Sequence, residues 1–204
     1  NEKTLKLIKE TAPNRPPKPE PEPETEPEPE PEPEIEDELR PYQNAAIKKW
    51  YEVGCQGILE HATGSGKTFT ALHIVKKVHE NDNPFVVVGV PYRLLAWQWS
   101  EECNKFFDNK DMDFSVIKCW SDNNNWEREA RQAILDRKTK LAQNKKFLVI
   151  FIVVNKTLFE NFKRQVIDSD DFEVDDTLFI GDECHNYSSK FLEISLPDFK
   201  YRLG

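Results

Sequence analysis

The stretch Leu59-Glu60-His61-Ala62-Thr63-Gly64-Ser65-Gly66-Lys67-Thr68 carries the residue types that grip a phosphate, at the spacing that gripping requires. Gly64 and Gly66 let the backbone curl around an anion without Cβ clashes. Thr63 before the first glycine and Ser65 between the two complete the ATP-binding loop. Lys67 reaches the β- and γ-phosphates of a nucleoside triphosphate, and the Thr68 hydroxyl is a ligand for Mg²⁺. One departure is visible: the first glycine of the pattern falls on His61. A chance Gly-x-Gly-Lys-Thr in a loop is the bland alternative, and the flanking elements disfavour it. Gly57-Ile58-Leu59 reads as a short strand entering the turn. From Gly66 or Lys67 the pattern turns helical, with Phe69, Ala71, Leu72, Ile74, Val75 and Val78 as its apolar residues. A strand turning directly into a helix aims unpaired N–H groups and a positive dipole end at one point.

A second constellation, Ile180-Gly181-Asp182-Glu183-Cys184-His185, closes the last apolar strand. Acids at the C-terminal end of a strand, in a sheet whose first strand ends in a phosphate loop, lie beside the metal. Asp182 is placed to hold Mg²⁺ through water, and Glu183 to orient or deprotonate the attacking water. Two solvated acids opening a helix are the alternative, which the phosphate loop upstream makes a poor one. His185 has no partner His or Cys at metal-ligand spacing.

The elements that must position these groups alternate along the chain. Pro41–Tyr51 reads as an opening helix with proline at its start. Strands are expected at Phe85–Val90, Phe114–Ile117, Phe147–Val154 and Thr177–Ile180 besides Gly57–Leu59. Helices are expected at Arg93–Phe107, with Leu94, Leu95, Trp97 and Phe106 as apolar points, and at Glu127–Lys145, with Ala130, Ile134 and Leu141. Continuous apolar runs such as Phe147–Val154 suit strands covered on both faces. Five strands with intervening helices predict an α/β fold, a parallel doubly wound sheet with right-handed crossovers.

Composition divides the 204 residues unevenly. Residues 12–38 hold ten of the fourteen prolines, with eleven acids against Arg15 and Lys18, which accounts for the whole formal charge of −9. The rest is near neutral, so any nucleic-acid surface must be a local patch. Glu and Pro alternate from Glu20 to Glu34, broken only at Thr25. That predicts a disordered, extended polyproline-II linker spanning on the order of 80 Å. Residues 1–11 read as the end of a preceding segment, and residues 39–204 as the folded domain. Four scattered cysteines without a Cys-x-x-Cys pair suit free thiols in a reducing cytoplasm. No signal peptide is expected, and the longest apolar run is far too short to cross a membrane.

Ala-Thr-Gly-Ser-Gly-Lys-Thr (62–68) together with Asp-Glu-Cys-His (182–185) resembles the first RecA-like domain of the superfamily 2 DEAD/DEAH-like helicases and translocases. Within them it is most similar to the branch of restriction-enzyme motor subunits and the UvrB type. The resemblance covers Leu39–Gly204. It implies a P-loop NTPase that uses ATP and Mg²⁺, the ATP-binding half of a nucleic-acid-dependent ATPase in a restriction or phage-defence system, with DNA favoured over RNA as the track. Leu39-Arg40-Pro41-Tyr42-Gln43 is similar to the adenine-recognition motif, which implies Arg40 and Gln43 in ATP binding, Gln43 reading the base edge. Tyr92, Arg93, Gln98 and Trp99, with Asn155, Lys156 and Thr157, match motifs that touch the nucleic-acid backbone. The resemblance makes His185 the residue coupling the ATP site to later motifs. It also implies that the chain stops short of the next helicase motif, and of a second RecA-like domain that supplies arginine fingers. On that expectation the isolated chain hydrolyses ATP hardly at all. Two other classes compete: a P-loop ATPase that is not a helicase, and a non-enzymatic scaffold that works through its Glu-Pro arm.

Overall fold

A computed structural model describes residues 39–204 apart from Thr63, Asp111, residues 121–122 and residues 185–195. The linker, the segment before it and His185 therefore lie outside the described residues. Six strands form one parallel sheet: β1 Gln56–Gly57, β2 Phe85–Val90, β3 Phe114–Cys119, β4 Leu148–Val154, β5 Thr177–Gly181 and β6 Tyr201–Leu203, in the order β1-β6-β5-β2-β4-β3. Four helices carry most of the packing: α1 Pro41–Glu52, α2 Lys67–Asn81, α3 Arg93–Asp108 and α4 Trp126–Ala142.

The period of two in the strands sorts the core onto two faces. Val86, Val88 and Val90 of β2 join Ile150, Ile152 and Ile180 beneath α1, α2 and α3. Phe85 and Val87 of the same strand face the other way, with Phe151, Val153 and Phe179, onto α4 and the helix after β4. Helices on both faces explain why β2 is buried along its whole length and reads as an uninterrupted apolar run. That following helix opens with the α-turn Asn155–Thr157 and widens into a π-type segment, Leu158–Ile167, which burial of Leu158, Phe162 and Val166 anchors.

Most element positions agree with the sequence reading, and the differences have physical causes. The sheet has six strands rather than five. Tyr201–Leu203 has no β-branched residue and is only three residues long, but it inserts between β1 and β5 and is tied down at both ends. Tyr201 Oη donates to Asp82 Oδ2 at 2.6 Å, and Trp50 Nε1 donates to the Arg202 carbonyl at 2.9 Å. The first strand is shorter and earlier than expected, yet Leu59 N–H still bonds the Gly204 carbonyl at 2.8 Å. On α3 the buried stripe is Ala96, Trp99, Ser100, Cys103, Phe106 and Phe107, whereas Leu94 and Trp97, expected among its apolar points, face solvent. On α4, Leu141 is likewise exposed, and the stripe runs through Trp126, Ala130, Ala133, Ile134 and Arg137.

Arg137 is an unusual core member. Its guanidinium lies 4.0 Å from the Phe85 ring and donates to the Asn83 carbonyl at 2.7 Å and to Asp176 at 2.9 Å. Planar delocalised charge tolerates such burial where an ammonium does not. All four cysteines are free thiols, and burial holds Cys103 and Cys119 protonated. Among the described residues no helix is long and apolar enough to cross a membrane.

Candidate nucleotide-binding site

The phosphate loop hangs between β1 and the first turn of α2. Gly66 caps that helix in the left-handed region, φ +85°, and Gly64 shares the conformation at φ +78°. At Gly66 the need for glycine is double, because a Cβ there would also lie 2.8 Å from Gln43 Nε2. Lys67 Nζ donates to the His61 carbonyl at 2.8 Å, so the lysine is held over its own loop. The Ser65 Oγ is buried and has no hydrogen-bond partner among the described residues. Thr63 lies outside the described residues.

The acids arrive from the centre of the sheet. Asp182 N–H bonds the Gly89 carbonyl at 2.9 Å, extending the β2–β5 register one residue past Gly181. Among the described residues its carboxylate receives two donors: Trp99 Nε1 on Oδ2 at 2.9 Å and the Glu183 N–H on Oδ1 at 3.0 Å. The second is possible because Glu183 adopts φ +53°, a left-handed turn that costs a non-glycine residue about 1 kcal/mol. Lys67, Thr68, Asp182 and Glu183 line one cleft of about 200 Å³, walled by Leu59, Ala71, Ile180 and Leu203. Two sequence-distant motifs thus converge on one volume. Among the described residues no group of three or more His, Cys, Asp or Glu forms a metal cage. The donors present fit Mg²⁺ bound beside phosphates, which takes few protein ligands and keeps its waters. An orphaned Ser65 hydroxyl and a loop with no room for a side chain at Gly66 fit a phosphate chain.

Gln43 packs against the loop. Its side chain is buried, Oε1 accepts from the Arg40 N–H at 2.9 Å, and Nε2 faces the carbonyls of Ser65 and Gly66 at 3.5 and 3.3 Å. As third residue of α1 it reaches back to the orphan N–H before the helix, which turns its NH₂ onto the loop. Tyr42, which the sequence did not single out for the site, donates from Oη to the Ser65 carbonyl at 2.5 Å and accepts from Arg40 Nη1 at 3.2 Å. Arg40, Gln43 and the loop residues 64–66 line a shallow depression beside the phosphate cleft.

The residues matched to backbone-contact motifs divide. Val90 pairs with Val154, so the segments following β2 and β4 leave the sheet side by side, at the same end as the acids. Tyr92, Arg93, Gln98 and Lys156 are exposed there, and Asn155 is half-buried. Trp99 and Thr157 are not part of that surface: both are buried, Trp99 at 4% exposure because helical periodicity turns it onto the sheet, Thr157 because it closes the turn that leads into the packed helix after β4. Trp99 lines the cleft that holds Lys67 and the acids, as the indole donor to Asp182. A tryptophan about one and a half helical turns after an exposed Arg-Leu pair gave no signal in sequence of which group it would meet.

Residues 36–202 match the family described as type III restriction enzyme, res subunit. No curated protein matches the chain in sequence. Among solved structures it is similar to a nuclease-deletion mutant of the Type ISP restriction-modification enzyme LlaGI in complex with a DNA substrate mimic, with TM-score 0.54 and 17% identity over 81% of this chain. The chain spans 17% of the length of that protein, and a likeness at this identity is a likeness of fold.

Proposed function

Since the chain belongs to the type III restriction enzyme res-subunit family, a domain of helicase/ATPase type, we propose that it is the ATP-binding half of a nucleic-acid-dependent ATPase, a DNA translocase or helicase serving restriction or phage defence. The observation that carries this reading is the convergence of Lys67, Thr68, Asp182 and Glu183 on one cleft. The DNA substrate mimic bound by the Type ISP relative favours DNA as the track.

On this reading ATP is the substrate. The N-terminus of α2 and the backbone around Gly64 and Gly66 bind its phosphates, and Lys67 leaves the His61 carbonyl to contact the β- and γ-oxygens. Thr68 and, through water, Asp182 would hold Mg²⁺, which supplies charge neutralisation on the phosphates when bound. Glu183 orients the attacking water and takes its proton. Arg40 and Tyr42 flank the side on which the base would lie. Tyr92, Arg93, Gln98, Asn155 and Lys156 form the edge that meets the nucleic-acid backbone, and His185 couples the two regions. A second RecA-like domain supplies arginine fingers, residues 12–38 act as a linker, residues 39–204 are the ATP-binding domain, and the protein works in the cytoplasm.

Measuring ATP hydrolysis by the full-length protein with duplex DNA, with RNA and with neither tests the reading. DNA is expected to stimulate turnover and Lys67→Ala to remove it. Equal turnover in all three conditions overturns the nucleic-acid dependence; a Lys67→Ala protein as active as wild type overturns the site.

A further inference from the structure

Trp99 presents a single polar group, an indole N–H that can donate and cannot accept. The ring is buried, so that N–H must find an acceptor, and the one it finds is Asp182 Oδ2 at 2.9 Å. The other carboxylate oxygen is occupied by the Glu183 N–H at 3.0 Å, an amide brought round by the left-handed backbone of Glu183. Two donors on opposite oxygens fix both the plane and the rotation of the carboxylate. Each oxygen accepts two hydrogen bonds, so among the described residues one acceptor site per oxygen is left for a water. Trp99 also rides on α3, whose Ala96, Cys103, Phe106 and Phe107 are packed in the core, so the donor is held by a rigid element rather than by a loop.

We propose that Trp99 is a positioning residue: its indole N–H, acting with the Glu183 amide, pre-orients Asp182 to receive a water of the magnesium shell. The proposal rests on the reading of the cleft as an ATP site. Trp99 itself does not touch the metal. Its effect is to spare Asp182 the loss of rotamer freedom on binding, and a hydrogen bond to a charged group is strong enough for its removal to matter about tenfold in an equilibrium.

The test compares the affinity of a fluorescent ATP analogue with and without Mg²⁺, in wild type, Trp99→Phe, Asp182→Asn and the double variant. The ratio of the two affinities is the metal-dependent gain, and losses of packing common to both conditions divide out of it. Trp99→Phe is expected to reduce the gain about tenfold, and to reduce it no further once Asp182 is Asn. An undiminished gain in Trp99→Phe overturns the proposal, as does an equal loss in both aspartate and asparagine backgrounds, which marks Trp99 as packing only. Should Trp99→Phe fail to fold, ¹⁵N-labelled tryptophan gives an independent reading. The chain has five tryptophans, and Asp182→Ala is expected to move one indole N–H resonance upfield; none moving overturns the hydrogen bond. A wild type that binds no nucleotide with or without Mg²⁺ overturns the ATP-site reading instead, while the resonance shift still reports on the Trp99–Asp182 pair.

Discussion

Gly66 and Gln43 occupy each other's space: a Cβ on Gly66 would come within 2.8 Å of the Gln43 amide nitrogen, which faces the Ser65 and Gly66 carbonyls. Helix α1 is therefore a buttress for the phosphate loop, pressed against it at the residue that turns the backbone left-handed. Gly66→Ala is expected to destabilise the fold by about 1–3 kcal/mol, from the left-handed backbone and the contact together. Gln43→Ala removes the contact but not the backbone strain, so the double variant is expected to lose less than the sum of the singles. Urea denaturation of the four proteins measures this, and simple additivity refutes the buttress.

Lys67 separates binding chemistry from fold. Among the described residues its one hydrogen bond runs to the His61 carbonyl of its own loop. Lys67→Ala should cost less than about 1 kcal/mol of stability, because a single bond to a neutral, accessible acceptor contributes little. Turnover should nevertheless vanish, since the charge facing the phosphates is gone. Circular dichroism melting alongside single-turnover hydrolysis checks both halves.

The adjacent acids should fail in different ways. Glu183→Gln keeps size and hydrogen-bonding capacity but loses the basic carboxylate, so ATP should bind and remain uncleaved. Asp182→Asn should instead raise the Mg²⁺ concentration needed for binding. Filter binding of labelled ATP across a magnesium series distinguishes them; matching losses of ATP affinity in both variants contradict separate roles.

How much of this was legible in the sequence depended on the kind of signal. That loop and acids would meet in one cleft was readable because such motifs fix residue type and spacing locally, and strands β2, β4 and β5 because double-sided burial demands unbroken apolar runs. What failed was direction. Trp97 and Trp99 are equally apolar in a list, but only the rotation of α3 on the sheet sends Trp97 to solvent and Trp99 to Asp182. Gln43 likewise has two uses for one amide, and capping its own helix is a local option that the motif alone does not reveal. β6 was missed because its stability comes from partners over a hundred residues away in sequence, Trp50 and Asp82, rather than from strand-forming residues.

The exposed edge beyond β2 and β4 makes a quantitative prediction about salt. Without residues 12–38 the chain is near neutral, so the edge holds few phosphates and the salt dependence of DNA binding should be shallow. Arg93→Ala and Lys156→Ala should each reduce the slope of log K against log salt by about one, uniformly across DNA sequences. Titrations of labelled DNA at several salt concentrations give the slopes; slopes unchanged in both variants move the track elsewhere.

Acid should unfold this domain partly through His79. The ring is buried near the C-terminal end of α2, and its Nδ1 has no hydrogen-bond partner among the described residues. Burial, reinforced by the charges of Lys146 and Arg137, pushes its pKa down to about 4 from an ordinary 6.5. The folded state thus keeps His79 neutral where the unfolded chain binds a proton. Stability from this group is whole above pH 6.5 and is lost as pH falls towards 4, by roughly 2–3 kcal/mol over the window. Asp176, whose carboxyl burial pushes up despite the adjacent Arg137, titrates in the opposite sense, so the informative quantity is a difference between two proteins. His79→Leu should remove the histidine's share: its urea midpoint should fall less steeply than wild type between pH 7 and pH 4.5. Parallel pH profiles for the two proteins rule out His79 as the acid-sensitive group.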